Sequence, residues 1–219
     1  MIKNIIFDYD GVIVDSEILA GKAFTRYLKK YKNVDLSEDE FINYYSGNKT
    51  IDVIKILSKK YDLGDENDFF SNFLNFANPI ITDELEPVEG IRDFLQQISQ
   101  KRFIGSNNLK TRIMTGLKKV VLQDYFNEEN IYTFDMVANP KPEPDVFLKV
   151  IEENKIKKDE TIIIEDSVIG TIAGVKAGIK VIGLTAGKHW KNRPKKSLLD
   201  AGAYKVFTKY LDILEFIKN

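Results

Sequence analysis

The sequence contains no cysteine, which excludes a disulfide framework, thiol catalysis and a zinc–thiolate site. It also has no apolar run long enough to cross a bilayer, so we expect no interaction with a membrane. Its first residues lead directly into a strand-like segment and not into a signal peptide. We therefore expect a soluble, cytoplasmic protein, with a monomer as the default.

An excess of charge of either sign is missing as well. Lys and Arg number 32 and Asp and Glu 33, for a net charge of -1, which is not typical of a nucleic-acid-binding protein. The single histidine, His189, and its neighbour Trp190 follow a predicted strand. A lone histidine is more often structural or exposed than catalytic, so we assign neither residue a role.

The composition is otherwise that of a folded protein. With 219 residues, 43% of them hydrophobic, the chain can form one large domain or a main domain with a smaller one. From residue 85 onward, predicted strands and helices alternate. This alternation predicts an α/β fold with a doubly wound, Rossmann-like parallel sheet. The predicted strands cover residues 5–7, 103–105, 132–137, 162–164, 181–184 and 204–207.

Between the first strand and this α/β region, the hydrophobic pattern predicts four successive helices with no strand. We therefore predict a discontinuous core domain of residues 1–14 and 85–219 and an inserted, all-helical cap domain of residues 15–84. A domain inserted beside the first strand end can act as a lid that selects substrates and excludes water. The alternative is a satellite domain that only adds stability.

Acidic residues follow two of the predicted strands. Asp8 and Asp10 come directly after Ile5-Ile6-Phe7, and Glu165 and Asp166 come after residues 162–164. The carboxyl ends of parallel strands bind ligands, and carboxylates placed there need a cation to offset their desolvation. We assign Asp166 to a metal directly and Glu165 to an outer or minor position. An acidic helix start is the alternative for this second pair.

Two further segments offer groups that suit a phosphate. Ser106 and Asn107 end a short strand, where a hydroxyl and the backbone N–H groups of a helix start can bind an oxyanion. Ordinary helix caps are the alternative. Lys141 lies in the loop Asn139-Pro140-Lys141-Pro142-Glu143-Pro144, whose prolines would present its ammonium group rigidly. The alternative for Lys141 is a solvated surface residue.

Together these segments resemble the four ordered motifs of the haloacid dehalogenase-like superfamily, in the β-phosphoglucomutase-like and sugar phosphatase group with a helical cap. The motifs are Asp8-Tyr9-Asp10-Gly11-Val12, Ser106, Lys141 before Pro142, and Glu165-Asp166. The resemblance implies that Asp8 is a nucleophile forming an aspartyl-phosphate and that Asp10 is the general acid and base. It further implies Mg²⁺ held by Asp8, the Asp10 carbonyl and Asp166, with phosphate bound by Ser106 and Lys141.

The same resemblance favours one activity within the superfamily. Asp10 argues against a dehalogenase, which does not need it, and against a phosphonate hydrolase, which has a small residue there. Sugar phosphomutases carry a histidine and an arginine where this chain has Ala20 and Thr50. Intact Asp8 and Asp10 disfavour a non-catalytic, ligand-binding member. The expected activity is Mg²⁺-dependent hydrolysis of a small phosphorylated metabolite, a sugar phosphate in particular.

Two predictions concern other positions. In the loop Ser46-Gly47-Asn48-Lys49-Thr50, Asn48 and Lys49 are candidates for substrate selection, and an ordinary turn between helices is the alternative. Gly170, Gly174 and Gly178 recur at helical intervals, and we interpret them as sites of close packing between a helix and the sheet.

Overall fold

The computed structural model describes residues 1–45, 50–191 and 193–218. In these residues the strands form one parallel sheet in the order β3-β2-β1-β4-β5-β6. The strands are Asn4–Phe7 (β1), Lys101–Ser106 (β2), Ile131–Thr133 (β3), Thr161–Glu165 (β4), Lys180–Leu184 (β5) and Lys205–Phe207 (β6). The predicted α/β fold class is confirmed.

The described chain separates into two compact units, one of Met1–Asp15 with Glu86–Asn219 and one of Ser16–Leu85. The first unit contains the sheet and the helices Ile91–Gln97 (α5), Lys110–Lys119 (α6), Asp145–Asn154 (α7), Val168–Lys176 (α8), Lys196–Asp200 (α9) and Tyr210–Lys218 (α10). The second contains the helices Ser16–Lys32 (α1), Glu38–Tyr44 (α2), Thr50–Tyr61 (α3) and Glu66–Asp83 (α4). The function of the second unit as a cap stays a prediction.

The sheet is buried on both faces, as parallel sheets are. On one face, Ile6 and Ile163 pack with Phe147 of α7. On the other, the ring of Phe7 makes edge contacts with Phe94 of α5 at 6.1 Å and with Phe126 at 5.7 Å between ring centroids. Central strands with bulky residues on alternate sides are thereby fixed in register, and their carboxyl ends lie along one edge.

The helical unit is built around an aromatic interior. Phe24 of α1 stacks on Phe73 of α4 with 3.8 Å between centroids, and Phe41 of α2 stacks on Phe24 at 4.8 Å. Side-chain caps define two helix starts: Ser37 accepts from the N–H of Glu40, and Asp65 accepts from N–H groups in the first turn of α4. No helix in the described ranges is both long and apolar enough to span a membrane.

One sequence prediction about the elements was wrong. We predicted extended structure through residues 132–137, but β3 ends at Thr133 and residues Phe134–Met136 form a 3-10 turn. The reason lies in the pairing: Thr133 is the register partner of Ser106, the last residue of β2. Beyond that pair the edge strand has no neighbouring strand to bond with in this part of the sheet.

Candidate active site

Three adjacent strands bring the predicted site residues together. Asp8 follows β1, Ser106 ends β2 and Glu165 ends β4, and β1 lies between the other two strands in the sheet. The N–H of Asp8 still donates to the carbonyl of Ile164 on β4 at 2.9 Å. This backbone hydrogen bond holds Asp8 at the carboxyl end of β1, beside β4.

The charged groups at this edge are buried and in contact. The Lys141 ammonium donates to Asp8 Oδ1 at 2.6 Å and to Glu165 Oε1 at 2.7 Å. Only 3% of the Lys141 side chain is exposed, which excludes the alternative of a solvated surface lysine. A buried lysine between two carboxylates neutralises part of their charge while keeping them apart.

Asn107 fixes the backbone that presents this lysine. Its side-chain carbonyl accepts from the N–H of Lys141 at 3.0 Å, and its amide donates to the carbonyl of Lys141 at 3.1 Å. The Lys141 ammonium also lies over the ring of Phe147, 4.7 Å from its centroid. Because the Asn107 side chain is committed to Lys141, its predicted phosphate contact would fall to its backbone N–H.

The cluster contains more negative than positive charge. Burial raises the pKa of Asp8 well above its usual value; Lys141 opposes this, and Glu165 and Asp166 raise it further. For Lys141, burial lowers the pKa, but attraction to Asp8 and Glu165 outweighs burial and raises it above its usual range. The two shifts therefore have different main causes: burial for Asp8, and the attraction of two buried carboxylates for Lys141.

These acids form a suitable site for a divalent cation. One ligand atom from each of Asp8, Glu165 and Asp166 lies within 4.8 Å of the others, and carboxylate oxygens are the ligands that hard cations prefer. Burial, and to a smaller extent the neighbouring acids, raise the pKa of Asp8, and a bound cation would oppose this by stabilising the charged carboxylate. The three carboxylates therefore fit a divalent metal. The single positive charge of Lys141 does not balance all three of them.

Glu165 has several partners besides a metal. Its Oε2 accepts from the N–H groups of Asp166 and Ser167 and from the Ser167 hydroxyl, at 2.9 to 3.0 Å. Its other oxygen accepts from Lys141. Glu165 thus stabilises both the lysine and the start of α8, which agrees with the helix-start alternative. The assignment of Asp166 as the more direct metal ligand stays a prediction.

Glycines create the space that these carboxylates occupy. A Cβ at Gly11, where φ is +75°, would lie 1.9 Å from Asp166 Oδ2, and one at Gly170 would lie 1.5 Å from Glu165 Oε1. Gly174 does pack against Val181 and Ile163 as expected, since a Cβ there would meet their side chains at 2.5 and 2.9 Å. The packing interpretation holds for Gly170 as well, because the Glu165 carboxylate that it accommodates belongs to the last residue of β4. For Gly178 it is wrong, since φ is +71° there and a Cβ would meet only Lys158, at 3.9 Å.

Asp10 differs from the buried acids. It is only half-buried, and its Oδ2 accepts from the side-chain amide of Asn108 at 2.9 Å. Ser106 is almost fully buried, and its hydroxyl accepts from the N–H of Asn108 at 3.1 Å. Asn108 was missed in the sequence, although it directly follows Ser106-Asn107, because an asparagine at a helix start has an ordinary capping explanation.

A second residue missed in the sequence is His189. Its Nε2 lies 3.0 Å from Asp166 Oδ2, and only 2% of the side chain is exposed.

The candidate substrate-selecting residues Asn48 and Lys49 lie outside the described residues. Of the two positions that disfavour a mutase, Ala20 lies within α1 and Thr50 begins α3.

The comparisons with known proteins identify the family of this chain. The sequence profile of the haloacid dehalogenase-like hydrolase family matches residues 5–184. The chain therefore belongs to the haloacid dehalogenase-like hydrolases, and the predicted family and enzyme class are confirmed.

Two curated relatives are phosphatases. The chain is 24% identical over 194 residues to a 6-phosphogluconate phosphatase of Escherichia coli, covering 88% of this chain and 86% of that protein. It is 28% identical over 223 residues to a phosphorylated carbohydrates phosphatase of Thermotoga maritima, covering 99% of both. A solved haloacid dehalogenase-like protein of unknown function from Agrobacterium tumefaciens has 28% identity and a TM-score of 0.90, over 100% of this chain and 98% of that one.

Proposed function

We propose that this protein is a Mg²⁺-dependent phosphatase that hydrolyses a small phosphorylated metabolite, a sugar phosphate, through an aspartyl-phosphate on Asp8. The observation that carries the proposal is the buried cluster of Asp8, Glu165 and Asp166 around the Lys141 ammonium. Such a cluster offers a nucleophile, a cation site and a fixed positive charge at one place. Phosphoryl transfer depends on this combination of positioning and charge neutralisation.

In the first step, an Asp8 oxygen attacks phosphorus and the bond from phosphorus to the ester oxygen breaks. Asp10 gives its proton to the departing oxygen. In the second step, water attacks the phosphorus of the aspartyl-phosphate, Asp10 takes the proton from that water, and the Asp8 carboxylate is released with inorganic phosphate. The half-exposed position of Asp10 and its bond to Asn108 suit a carboxyl group that exchanges protons with substrate and water.

The remaining residues bind charge. Lys141 and the Ser106 hydroxyl would hold phosphoryl oxygens, with the N–H of Asn107 as a further donor. Mg²⁺ held by Asp8, Asp166 and the Asp10 carbonyl, with Glu165 nearby, would neutralise negative charge on the phosphoryl group. Together, Lys141 and Mg²⁺ would balance the negative charge of the reacting phosphoryl group.

Two observations support the substrate class and the reaction. The relatives from E. coli and T. maritima are phosphatases named for 6-phosphogluconate and for phosphorylated carbohydrates. Ala20 and Thr50 stand where a sugar phosphomutase has a histidine and an arginine, which favours hydrolysis over isomerisation. Substrate selection by Asn48 and Lys49, a cap function for residues 15–84, a monomeric state and a cytoplasmic location stay predictions.

The test is phosphate release from a panel of small phosphate esters, measured with Mg²⁺ and with a chelator. We expect Mg²⁺-dependent release, with sugar phosphates among the preferred esters. Conversion between isomers of a sugar phosphate, with little phosphate released, would instead identify a mutase. Release that is unaffected by the chelator would contradict the metal requirement.

A further inference from the structure

His189 lies against the proposed metal site but has no part in the mechanism above. Its Nε2 is 3.0 Å from Asp166 Oδ2, and both side chains are buried, with 2% and 5% exposed. Because a carboxylate oxygen can only accept, the imidazole supplies the proton of this hydrogen bond. A buried hydrogen bond to a charged acceptor is among the stronger ones in proteins.

The backbone holds the His189 ring tightly in place. A Cβ added to Gly187 would lie 2.8 Å from His189 Cε1 and 2.9 Å from Nδ1, so the ring rests directly on the Gly187 backbone. The next residue, Lys188, donates its N–H to the buried Asp15 carboxylate at 3.1 Å. The segment that leads into His189 is thus anchored by the two residues directly before the ring.

The same Asp166 oxygen is enclosed from another direction. Gly11 brings its Cα so close to Oδ2 that a Cβ there would lie 1.9 Å from this atom. His189 and Gly11 together therefore fix one edge of the Asp166 carboxylate. We propose that His189 is a positioning residue, which holds Asp166 Oδ2 by a hydrogen bond so that the other oxygen, Oδ1, binds the divalent cation.

This inference rests on the proposed function, because it requires that Asp166 binds a metal. Partners that orient a metal ligand typically change metal affinity by about 10- to 100-fold when they are removed. Removing the His189 hydrogen bond should therefore act first on cation affinity. At saturating Mg²⁺ the phosphatase kcat should largely recover, since His189 touches neither substrate nor reacting atoms.

The experiment is titration of the full chain with Mg²⁺ alone, followed by calorimetry, in the wild type, His189→Leu and His189→Gln. We expect His189→Leu to raise the Kd for Mg²⁺ by about 10- to 100-fold. His189→Gln keeps a donor N–H at a comparable reach and should recover most of the affinity. Unchanged affinity in a folded His189→Leu would overturn the inference, and so would equal weakening in both variants.

Gly187→Ala provides a second route if His189→Leu does not fold. The Gly187 backbone, at φ -61° and ψ 143°, accepts alanine without strain. The new Cβ would meet the His189 ring at 2.8 Å and the Gly11 carbonyl oxygen less closely, at 3.3 Å, so its main effect is to displace the ring. We expect a higher Kd for Mg²⁺ although the histidine is retained, and wild-type affinity in this variant would overturn the inference.

Failure of the proposed function would look different. A wild-type protein that binds no Mg²⁺ and releases no phosphate would remove the function and the inference together. A wild-type protein that binds Mg²⁺ and hydrolyses esters, with affinity indifferent to His189, would leave the function in place and remove only the inference.

Discussion

The two units of this protein differ in what they bury. Every buried carboxylate, lysine and histidine among the described residues lies in the α/β unit, including Asp8, Lys141 and Asp166. In the helical unit the buried polar residues are Thr25 and Ser58. The interior of the helical unit consists of aliphatic side chains and aromatic rings, several of them stacked. The buried charged groups are therefore confined to the α/β unit, and we expect substitutions in the helical unit to change stability without changing the proposed chemistry.

Burial of charge is tolerated only where a rigid framework satisfies each group. The carboxyl edge of the sheet provides this framework, because the strand ends fix Asp8 and Glu165 while Asn107 fixes the backbone of Lys141. In the helical unit, side chains meet on the surfaces of helices without such a framework. Its apolar packing gives stability but offers no site for an uncompensated charge.

The largest expected effect is on catalysis, in Asp8→Asn. The amide cannot attack phosphorus, so phosphate release should fall by about 10⁴-fold or more. The fold should remain, because the substitution conserves shape and removes a charge that burial disfavours. Steady-state phosphate release and circular dichroism measure the two properties. Near-normal turnover would refute the role of Asp8 as the nucleophile.

The next effect is on stability, in the helical unit. Phe73→Ala removes a buried ring that stacks on Phe24, and we expect the free energy of unfolding to fall by about 3 to 5 kcal/mol. The Kd for Mg²⁺ should stay unchanged under folding conditions, because the metal ligands all belong to the other unit. A weakened Mg²⁺ site in a folded Phe73→Ala protein would break the separation between the units.

In the α/β unit, Lys141→Met should lower both the free energy of unfolding and the phosphatase activity. It leaves Asp8 and Glu165 buried without their cation, and breaking such a pair destabilises a protein by about 3 to 5 kcal/mol. Urea denaturation in chelator measures the loss. Adding Glu165→Gln should recover part of the stability but not the activity. A double variant less stable than Lys141→Met would contradict the account of the cluster as an excess of negative charge.

The pH dependence of stability gives a test of the same excess. Folding raises the pKa of Asp8 above its usual 3.8, so the folded state holds this proton more tightly than the unfolded chain. The resulting stability is fully present below about pH 4 and is lost as pH rises through the folded pKa. In chelator, wild-type stability should therefore fall relative to Asp8→Asn from about pH 4 upward. Parallel profiles would contradict the shift.

The smallest effect is expected for Asn108→Ala. Losing the hydrogen bond to Asp10 should lower kcat by about tenfold, a fraction of the 10²- to 10⁴-fold that general acid–base catalysis provides. Stability should change little, since Asp10 remains partly solvated. Thr111→Ala, an exposed change in the following helix, is the matched control. Equal kcat values for the two variants would remove Asn108 from the site.

Much of this arrangement could be predicted from the sequence, because strand ends are visible there. Apolar runs followed at once by Asp8 or Glu165 indicate a sheet edge, and parallel strands bring such edges together whatever their distance in the chain. Lys141 was predicted on the strength of its neighbouring prolines and the resemblance to the family. In each case a short stretch of sequence is enough to indicate where the side chain lies in the fold.

The contacts of His189 and Asn108 could not be predicted in this way. His189 reaches Asp166 only because the segment after β5 turns back toward β4, and no spacing in the sequence records that turn. Helix α9 was also missed, since its two apolar residues, Leu198 and Leu199, are adjacent in a five-residue helix and show no helical period. Side-chain partners and short surface helices depend on packing that the chain reveals only when folded.

The most direct test of the central claim is a rapid-mixing experiment with an aryl phosphate, p-nitrophenyl phosphate, on the Mg²⁺-loaded Asp10→Asn protein. Its leaving group needs no proton, so formation of the aspartyl-phosphate should stay fast while its hydrolysis, which needs Asp10 as a base, becomes slow. The account predicts a burst of one nitrophenolate per chain, which disappears when Asp8→Asn is added. Turnover without a burst, equally fast in the presence of Asp8→Asn, would contradict it.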